Sequence, residues 1–503
     1  MYKKIVISVI IIFFLYGIGT FIYFSGAPAY KDYCPITLPN QLSFILEDVK
    51  DPAHKYTTIN DASCLNETRV YEIINIKTVA QIQEALILAR KKGLSVSIAG
   101  ARHSMGGQAF FKDSMVLNMT QFNKILCLDE KNKILTVESG ATWHDIQLYL
   151  HEKNLAIKGM QSTDIFTVGG SMAVNAHGMD HTVGSIASTI HSFSFMQANG
   201  TIQNVSRQEN PTLFNAVIGG YGLFGIILNV NLEVTDNVMY HREFRSIDYH
   251  ELPSFFQSAL SDNSYELLYA HLSTSPYSFL QEMIVYGYKK IPHVGSFEPL
   301  RKISFIKLRR FLINLSKKRW YARFFKWIAE KYIDPSFDQI RKKSIISRNE
   351  VMHDSVEYLE NVLVNETDIL QEYFIPPANF VAFIDAIREI LKQSSIPLLN
   401  ASVRMVHKES IMLNYAPEDM FAIVLYLNQK VNAQALEAME TLTRDLINIT
   451  LNFQGTFFLP YQLHFNKEQL LKAYPNIDAF FALKKFYDPQ LLFMNHFYAK
   501  YAS

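Results

Sequence analysis

Apolar side chains recur along this chain with two alternating spacings. Between Val70 and Val234 a short run, YEIINI, is followed by AQIQEALILARKKG, with apolar residues at helical spacing and Gly93 past its end, and then by LSVSIAG. Strand, helix and strand in that order predict a compact α+β unit. SMVLNM and KILTVESGA read as further strands and WHDIQLYLHEKN as a helix, before a stretch rich in glycine and small residues from Gly159 to Gly225. The unit closes near Val234. From about Asn237 to Gln462, aromatic-rich strands (ELLYAHLS, QEMIVYGY, FAIVLYLN) mix with amphipathic helices (FVAFIDAIREILKQ, ALEAMETLTRDLINI). That mixture predicts a second α+β domain built around an antiparallel sheet.

The N-terminus follows neither spacing. Lys3 and Lys4 precede Ile5 to Phe24, twenty residues without a charge, enough at 1.5 Å per residue to span the roughly 30 Å hydrocarbon layer of a bilayer. Ala27-Pro28-Ala29 makes a poor cleavage site, so an uncleaved anchor over residues 1–25 is expected rather than a removed signal peptide. The lysine pair would stay cytoplasmic and the body would be exported. Residues 26–66, rich in Pro, Asp, Asn and Thr, read as a linker. Arg301 to Ile333 carries many Lys and Arg and a single acid, Glu330, with Trp320, Phe324, Phe325 and Trp327 interleaved. Such a segment suits a membrane interface, rings in the acyl boundary and cations at anionic headgroups; the alternative is a cap helix with solvated charges.

Composition narrows the classes. At 503 residues, 49% hydrophobic and 13% aromatic, the chain is too apolar for disorder and has room for two or three domains. Its 48 Lys+Arg against 47 Asp+Glu lack the basic excess of a phosphate-tracking protein, so no nucleic-acid partner is expected. Three cysteines exclude a disulfide scaffold and none forms a C-x-x-C pair. In an oxidising compartment Cys34 and Cys64 can pair, leaving Cys127 as a buried thiol; three unpaired structural thiols are the alternative.

Gly220-Tyr221-Gly222-Leu223-Phe224-Gly225 fits G-x-G-x-x-G, the dinucleotide fingerprint, but in reversed context. The helical stretch SRQENPTLFNAVI precedes it and the β-branched IILNVNLEV follows, so no helix dipole faces the turn. More informative is Ile98 to Gln108, a strand end running into Gly100-Ala101-Arg102-His103-Ser104-Met105-Gly106-Gly107. Small residues there let main-chain N–H groups converge on an anion. Thr167-Val168-Gly169-Gly170-Ser171 with Ala176-His177-Gly178 offers a second set of backbone donors, and Gly219 to Gly225 a third. Three such loops in one unit form a candidate cofactor bed.

The helix AQIQEALILARKKG, the loop GARHSMGG, LTVESGATWHDI, LAIKGMQSTDIFTVGGSMAVNAHG and GGYGLFGIILNV, in this order, resemble the flavin-binding domain of the vanillyl-alcohol oxidase and p-cresol methylhydroxylase (PCMH) family. The branch most resembled contains aldonolactone oxidases and alditol oxidase. The resemblance implies a two-lobed FAD-binding PCMH-type domain over 67–236, a substrate domain over 237–480, and a C-terminal segment, 481–503, returning to the first. It implies FAD held by Gly100, Ala101, Arg102, His103, Ser104, Met105, Gly106, Ser162, Thr167, Gly169, Gly170, Ala176, His177, Gly178, Gly225 and Ile227. The histidine of this branch's G-x-x-H-S motif, commonly bonded to the flavin 8α-methyl, corresponds to His103; a noncovalent FAD is the alternative. No cysteine follows Cys127, so any link is single. His177 is expected near the flavin or as a structural histidine, Ser162 beside the ring where oxygen access is set, and His496 and Tyr498 in packing or cofactor contact.

In LLNASVRMVHKES, strand alternation puts Ser402, Arg404 and Val406 on one face. Relatives in the resembled branch carry a Glu-x-Arg pair here, so Arg404 matches and Ser402 departs, which leaves the lactone or polyol substrate open. A salt bridge elsewhere in the domain is the other reading of Arg404. In LPYQLHF, Tyr461 and His464 are candidates for the base that removes a hydroxyl proton. No metal is expected. The function expected is an FAD-dependent oxidoreductase oxidising CH–OH in a sugar-derived, polyol, lactone or other alcohol, with O2 or a quinone as acceptor. The alternatives are a flavin reductase or epimerising oxidase on a lipid-linked substrate, and a membrane-tethered binding protein without turnover.

Overall fold

The computed structural model describes residues 17–26, 56–262, 265–301, 305–333, 344–354 and 356–502. After a hairpin of Thr57–Ile59 with Thr68–Val70, a parallel three-stranded sheet forms from β1 (Glu72–Asn75), β2 (Val96–Ala99) and β3 (Met115–Asn118) in the order β1-β3-β2. The crossover is α1 (Val79–Lys92). Thr78 and Gln81 close a capping box at its start, and Gly93 ends it at φ 62°, a left-handed conformation in which a side chain would be strained. Its buried stripe of Ile82, Ala85, Leu86 and Ala89 packs with Met115, Leu117 and Phe493. The C-terminal segment joins this lobe, with Val96 N donating to Leu492 O (2.6 Å) and Met494 N to Val96 O (2.9 Å).

The second lobe is a six-stranded antiparallel sheet: β4 (Ile125–Asp129), β5 (Ile134–Glu138), β7 (Ile190–Gln197), β8 (Ile202–Ser206) and β9 (Gly225–Asp236) in the order β8-β7-β9-β5-β4, with β6 (Leu155–Ile157) on the far end of β9. Three helices accompany it, α2 (Trp143–His151), α3 (Val168–Val174) and α4 (Pro211–Val217). The glycine turn 220–225 follows α4 and leads into β9, so no helix begins at its end. Cys127 is exposed, against the expectation of a buried thiol, because β4 is the sheet edge and its middle residues turn outward. Cys64 is disulfide-bonded; the expected partner, Cys34, lies outside the described residues.

Past Asp236 the chain enters an eight-stranded antiparallel sheet, β10 (Met239–Asp248), β11 (Leu267–Leu272), β12 (Glu282–Ile291), β13 (Ile345–Ser347), β14 (Glu366–Ile375), β15 (Leu398–Val406), β16 (Met420–Lys430) and β17 (Thr456–Phe457), ordered β13-β10-β12-β11-β15-β16-β14-β17. One face, with Ile369, Tyr373, Ala401, Val403, Ile423 and Leu425, is fully buried and packs with residues of α5 (Leu252–Asp262), α9 (Phe380–Gln393) and α10 (Ala433–Asn452). The other face turns toward the first domain. Its rows hold Glu372, Val424, Ser402 and His271, then Phe374, Ala422 and Arg404, because directly paired antiparallel residues share a side.

The basic aromatic stretch is two helices, α6 (Ile306–Lys318) and α7 (Trp320–Ile328), broken where Arg319 turns extended. Trp320, Tyr321 and Phe325 are exposed, while Trp327 is buried and donates to Glu282 (2.8 Å). The expected span over 5–24 lies for the most part outside the described residues. Among the described residues no helix is long and apolar enough to cross a membrane. Residues 17–25 are helical and rest on α6, Phe21 against Phe311 (ring centroids 5.2 Å apart) and Arg310 donating to the Gly26 carbonyl (3.2 Å).

One short segment ties the substrate domain to the first domain. Ser347 leads into a one-turn helix, α8 (Arg348–Val351), whose buried Arg348 pairs with Asp180 (2.5 Å) and donates to the carbonyls of Ile157 and Lys158. A buried pair is costly to break from one side, so this contact sets domain orientation more than it adds stability.

Candidate functional site

The three small-residue loops converge. A Cβ on Gly100 would stand 2.2 Å from Thr167 Oγ1, so only glycine lets the first loop lie on the N-cap of α3, where that oxygen accepts from Gly170 N (3.3 Å). Gly169 lies against Ser139, where an added Cβ would stand 2.9 Å from the Ser139 Cβ, and donates to its carbonyl at 2.7 Å. The third loop is tied to the second through Gly219 N to Met172 O and Tyr221 N to Ala173 O, both 2.9 Å, and Gly222 lies over Ile98 of β2. A Cβ on Gly178 would meet Met160 O at 1.9 Å, which seats Ala176-His177-Gly178 beside the loop carrying Ser162. Gly225 needs its φ of 151° and its bare Cα to pass Met196 O as β9 opens, and Ile227 pairs with Phe195 just before a bulge.

Within the first loop the candidates divide. His103 is half-buried with its ring edge against Phe166 (centroids 5.0 Å apart), and burial, with a smaller contribution from the Arg102 cation, pushes its imidazole down to about 4. Ala101 and Ser104 are also half-buried. Arg102 turns outward and donates to Asn60 O (3.2 Å), away from the bed. Met105 and Gly106 face protein. Met105 N donates to Pro460 O (2.7 Å), its sulfur accepts from Leu370 N (3.3 Å), and a Cβ on Gly106 would stand 2.5 Å from Tyr461 O.

Across from the loops, the sheet presents Ser402 and Arg404 on the face predicted for them. Glu372 joins them from β14, two strands away, a residue missed in the sequence. Its carboxylate, on a 4% exposed residue, accepts from His177 Nε2 (2.5 Å) and from the Tyr461 hydroxyl (3.3 Å). The signal was a lone acid inside the apolar run ILQEYFI, which argues for a partnered buried carboxylate. Burial, and then the charge of Glu372, holds the Tyr461 hydroxyl pKa well above 10, so Tyr461 keeps its proton and serves as a donor. A tyrosine base at this position would first have to give up that proton. His464 stands apart. Residues 458–465 form an irregular turn, and His464 faces a 280 Å³ cavity with Asn66, Leu463, His496 and Lys500, where burial pushes it down to about 4. His496 bonds Thr68 through Nε2 (2.9 Å) and lies on Gly107, and Tyr498 packs against Phe481.

Buried polar atoms without a partner at this junction include Ser162 Oγ, His177 Nδ1 and Arg404 Nε. Glu409, which accepts from Asn175 Nδ2 (2.7 Å), closes the same region from the substrate domain, and burial pushes its carboxyl up to about 7. A cluster of unpaired buried donors and acceptors beside a glycine-lined bed fits a group rich in ring nitrogens, carbonyls and phosphate oxygens. The residues present therefore fit FAD.

Residues 72–206 match the family model described as FAD binding domain, and residues 302–501 match the one described as D-arabinono-1,4-lactone oxidase. The chain is 28% identical over 200 residues to L-gulonolactone oxidase of Mus musculus, covering 40% of this chain and 42% of that protein. It is 28% identical over 173 residues to D-arabinono-1,4-lactone oxidase of Debaryomyces hansenii, covering 32% and 31%. Over 149 residues it is 28% identical to decaprenylphosphoryl-beta-D-ribose oxidase of Mycolicibacterium smegmatis, covering 29% and 32%. The matched span is thus less than half the length of these curated relatives.

Proposed function

We propose that this chain, which joins an FAD binding domain to a D-arabinono-1,4-lactone oxidase domain and so belongs with the PCMH-type aldonolactone oxidase branch, oxidises a CH–OH group of a sugar-derived substrate. The observation that carries this reading is the meeting of the glycine-lined loops with the sheet face that presents Glu372, Ser402 and Arg404. Bound FAD supplies the hydride acceptor. Arg404 offers an unpaired cation to the negative charge that develops there, and Ser402 offers a hydroxyl to orient substrate. Glu372 fixes the His177 tautomer by accepting from Nε2, which leaves Nδ1 as the buried acceptor for the substrate hydroxyl proton. The acceptor that reoxidises the protein is O2 or a quinone.

The test is direct. The purified protein should be yellow, and acid precipitation should leave the colour in the pellet if His103 is bonded to the flavin; His103→Ala should release it. Colourless protein that takes up no FAD would return the chain to a tethered binding protein. An imidazole that titrates near 4 stays neutral and nucleophilic well below the usual histidine range. Flavin attachment to reconstituted apoprotein should therefore change less than about twofold between pH 8 and pH 5 and halve only near pH 4. A half-rate point near 6.5 would show an ordinary histidine in this position.

A lipid-linked substrate is the second reading. The π-helical turn after α7, Ala329–Ile333, carries Glu330 onto the site face, where it pairs with His271, in the same row as Ser402, while Trp320 and Phe325 of α7 remain exposed. We read this as a membrane-contacting edge beside the substrate opening, under a body tethered by the N-terminal span and exported. A chain begun after residue 26 should co-sediment with phosphatidylglycerol vesicles, less so at high salt and least in the Trp320→Ala, Phe325→Ala double variant. Equal partitioning of the double variant would remove this edge from the membrane.

A further inference from the structure

Away from the flavin bed, three ligand-type side chains from separate segments meet at one point. His144 lies in the first turn of α2, Asp164 in the loop between Ser162 and Phe166, and His353 just past α8 in the substrate domain. His144 Nδ1 and His353 Nδ1 stand 2.9 and 2.7 Å from the same oxygen, Asp164 Oδ2, and all three ligand atoms lie within 4.8 Å of one another. The rings stack, with centroids 5.2 Å apart and planes 23° from parallel. Hydrogen bonds hold the approach on both sides: His144 N donates to Asp164 O (2.8 Å), and the side-chain Asn349 Nδ2 donates to Leu155 O (2.8 Å). The Asp164 and His353 side chains are 5% and 14% exposed, and His144 is 45% exposed.

We propose that His144, Asp164 and His353 form a binding site for a divalent transition-metal ion of the zinc class. Two imidazole nitrogens and one carboxylate oxygen are the donors such borderline cations take, and the exposed side of His144 leaves room for water in a fourth position. Without a metal, one carboxylate oxygen must accept from both rings, each donating through its Nδ1–H. One dication in place of the two ring protons satisfies all three ligand atoms at once. The ion would bridge the domains beside the Arg348–Asp180 pair and pin the loop that carries Ser162 and, through Phe166, backs His103.

The probe is Zn2+ itself, titrated calorimetrically into the full-length protein after chelation and removal of chelator. Wild type should bind one equivalent. His144→Ala, which alters a half-exposed side chain and should leave folding intact, and His353→Ala should each weaken that binding at least about tenfold. At a hundredfold excess of Zn2+ over Kd, wild-type Tm should rise by about 2 to 3 °C, and neither variant should respond. No heat and no Tm shift in wild type, or binding that survives both substitutions, would overturn the site.

Discussion

Arg404→Ala is expected to slow flavin reduction by the productive substrate about 10²- to 10³-fold under anaerobic conditions, the loss seen when a preorganised charge donor is removed from a developing anion. Arg404 sits inside β15 between Val403 and Met405, both buried, and forms no ion pair among the described residues. Its Nε is buried without a partner. A guanidinium N–H buried there without an acceptor is an arrangement that persists when a ligand supplies the missing partner. The same argument sets the second half of the result. In apoprotein the substitution should leave Tm unchanged or slightly raised, because it removes an uncompensated charge and breaks no bridge. Arg404→Lys should recover part of the rate only, since a point charge lacks the planar fork. A variant that reduces flavin at full rate, or one whose apoprotein is markedly destabilised, would mean that Arg404 serves as a structural partner.

What could be read from the sequence follows from how local each signal is. The helix of α1 announces itself through Thr78, Gln81 and Gly93, all contained within a few residues of its ends. The three loops were legible because each glycine answers a close backbone approach, as at Gly100 and Gly178. The face of Ser402 and Arg404 followed from strand alternation alone. What escaped was non-local. Glu372 reaches the site only because β14 pairs with β16 and β16 with β15, a register no single strand discloses. Tyr461 and His464 are both candidate bases by residue type, but the backbone there turns irregularly and sends them to different surroundings. Cys127 was given an interior position by residue type, and the edge location of β4 decided otherwise.

The carboxylate absent at Ser402 gives Glu372 its importance, and Glu372→Gln should lower the rate of flavin reduction about 10²- to 10³-fold, within the range that general base catalysis contributes. Gln keeps the volume of the side chain and can still bond Tyr461, so the fold should survive. It removes the acceptor charge that holds the proton on His177 Nε2 and frees Nδ1. With the tautomer no longer fixed, the buried nitrogen that takes the substrate proton is neutral and unprotonated only part of the time. Tyr461→Phe tests the other contact of the same carboxylate. Because burial keeps the Tyr461 hydroxyl protonated, its loss removes one donor at 3.3 Å and should cost no more than about tenfold. The ordering of the two variants is the discriminating result, since a tyrosine base would reverse it. Full activity in Glu372→Gln would move the base elsewhere, and the buried carboxylate of Glu409, raised to about 7 beside Asn175, would become the group to replace next.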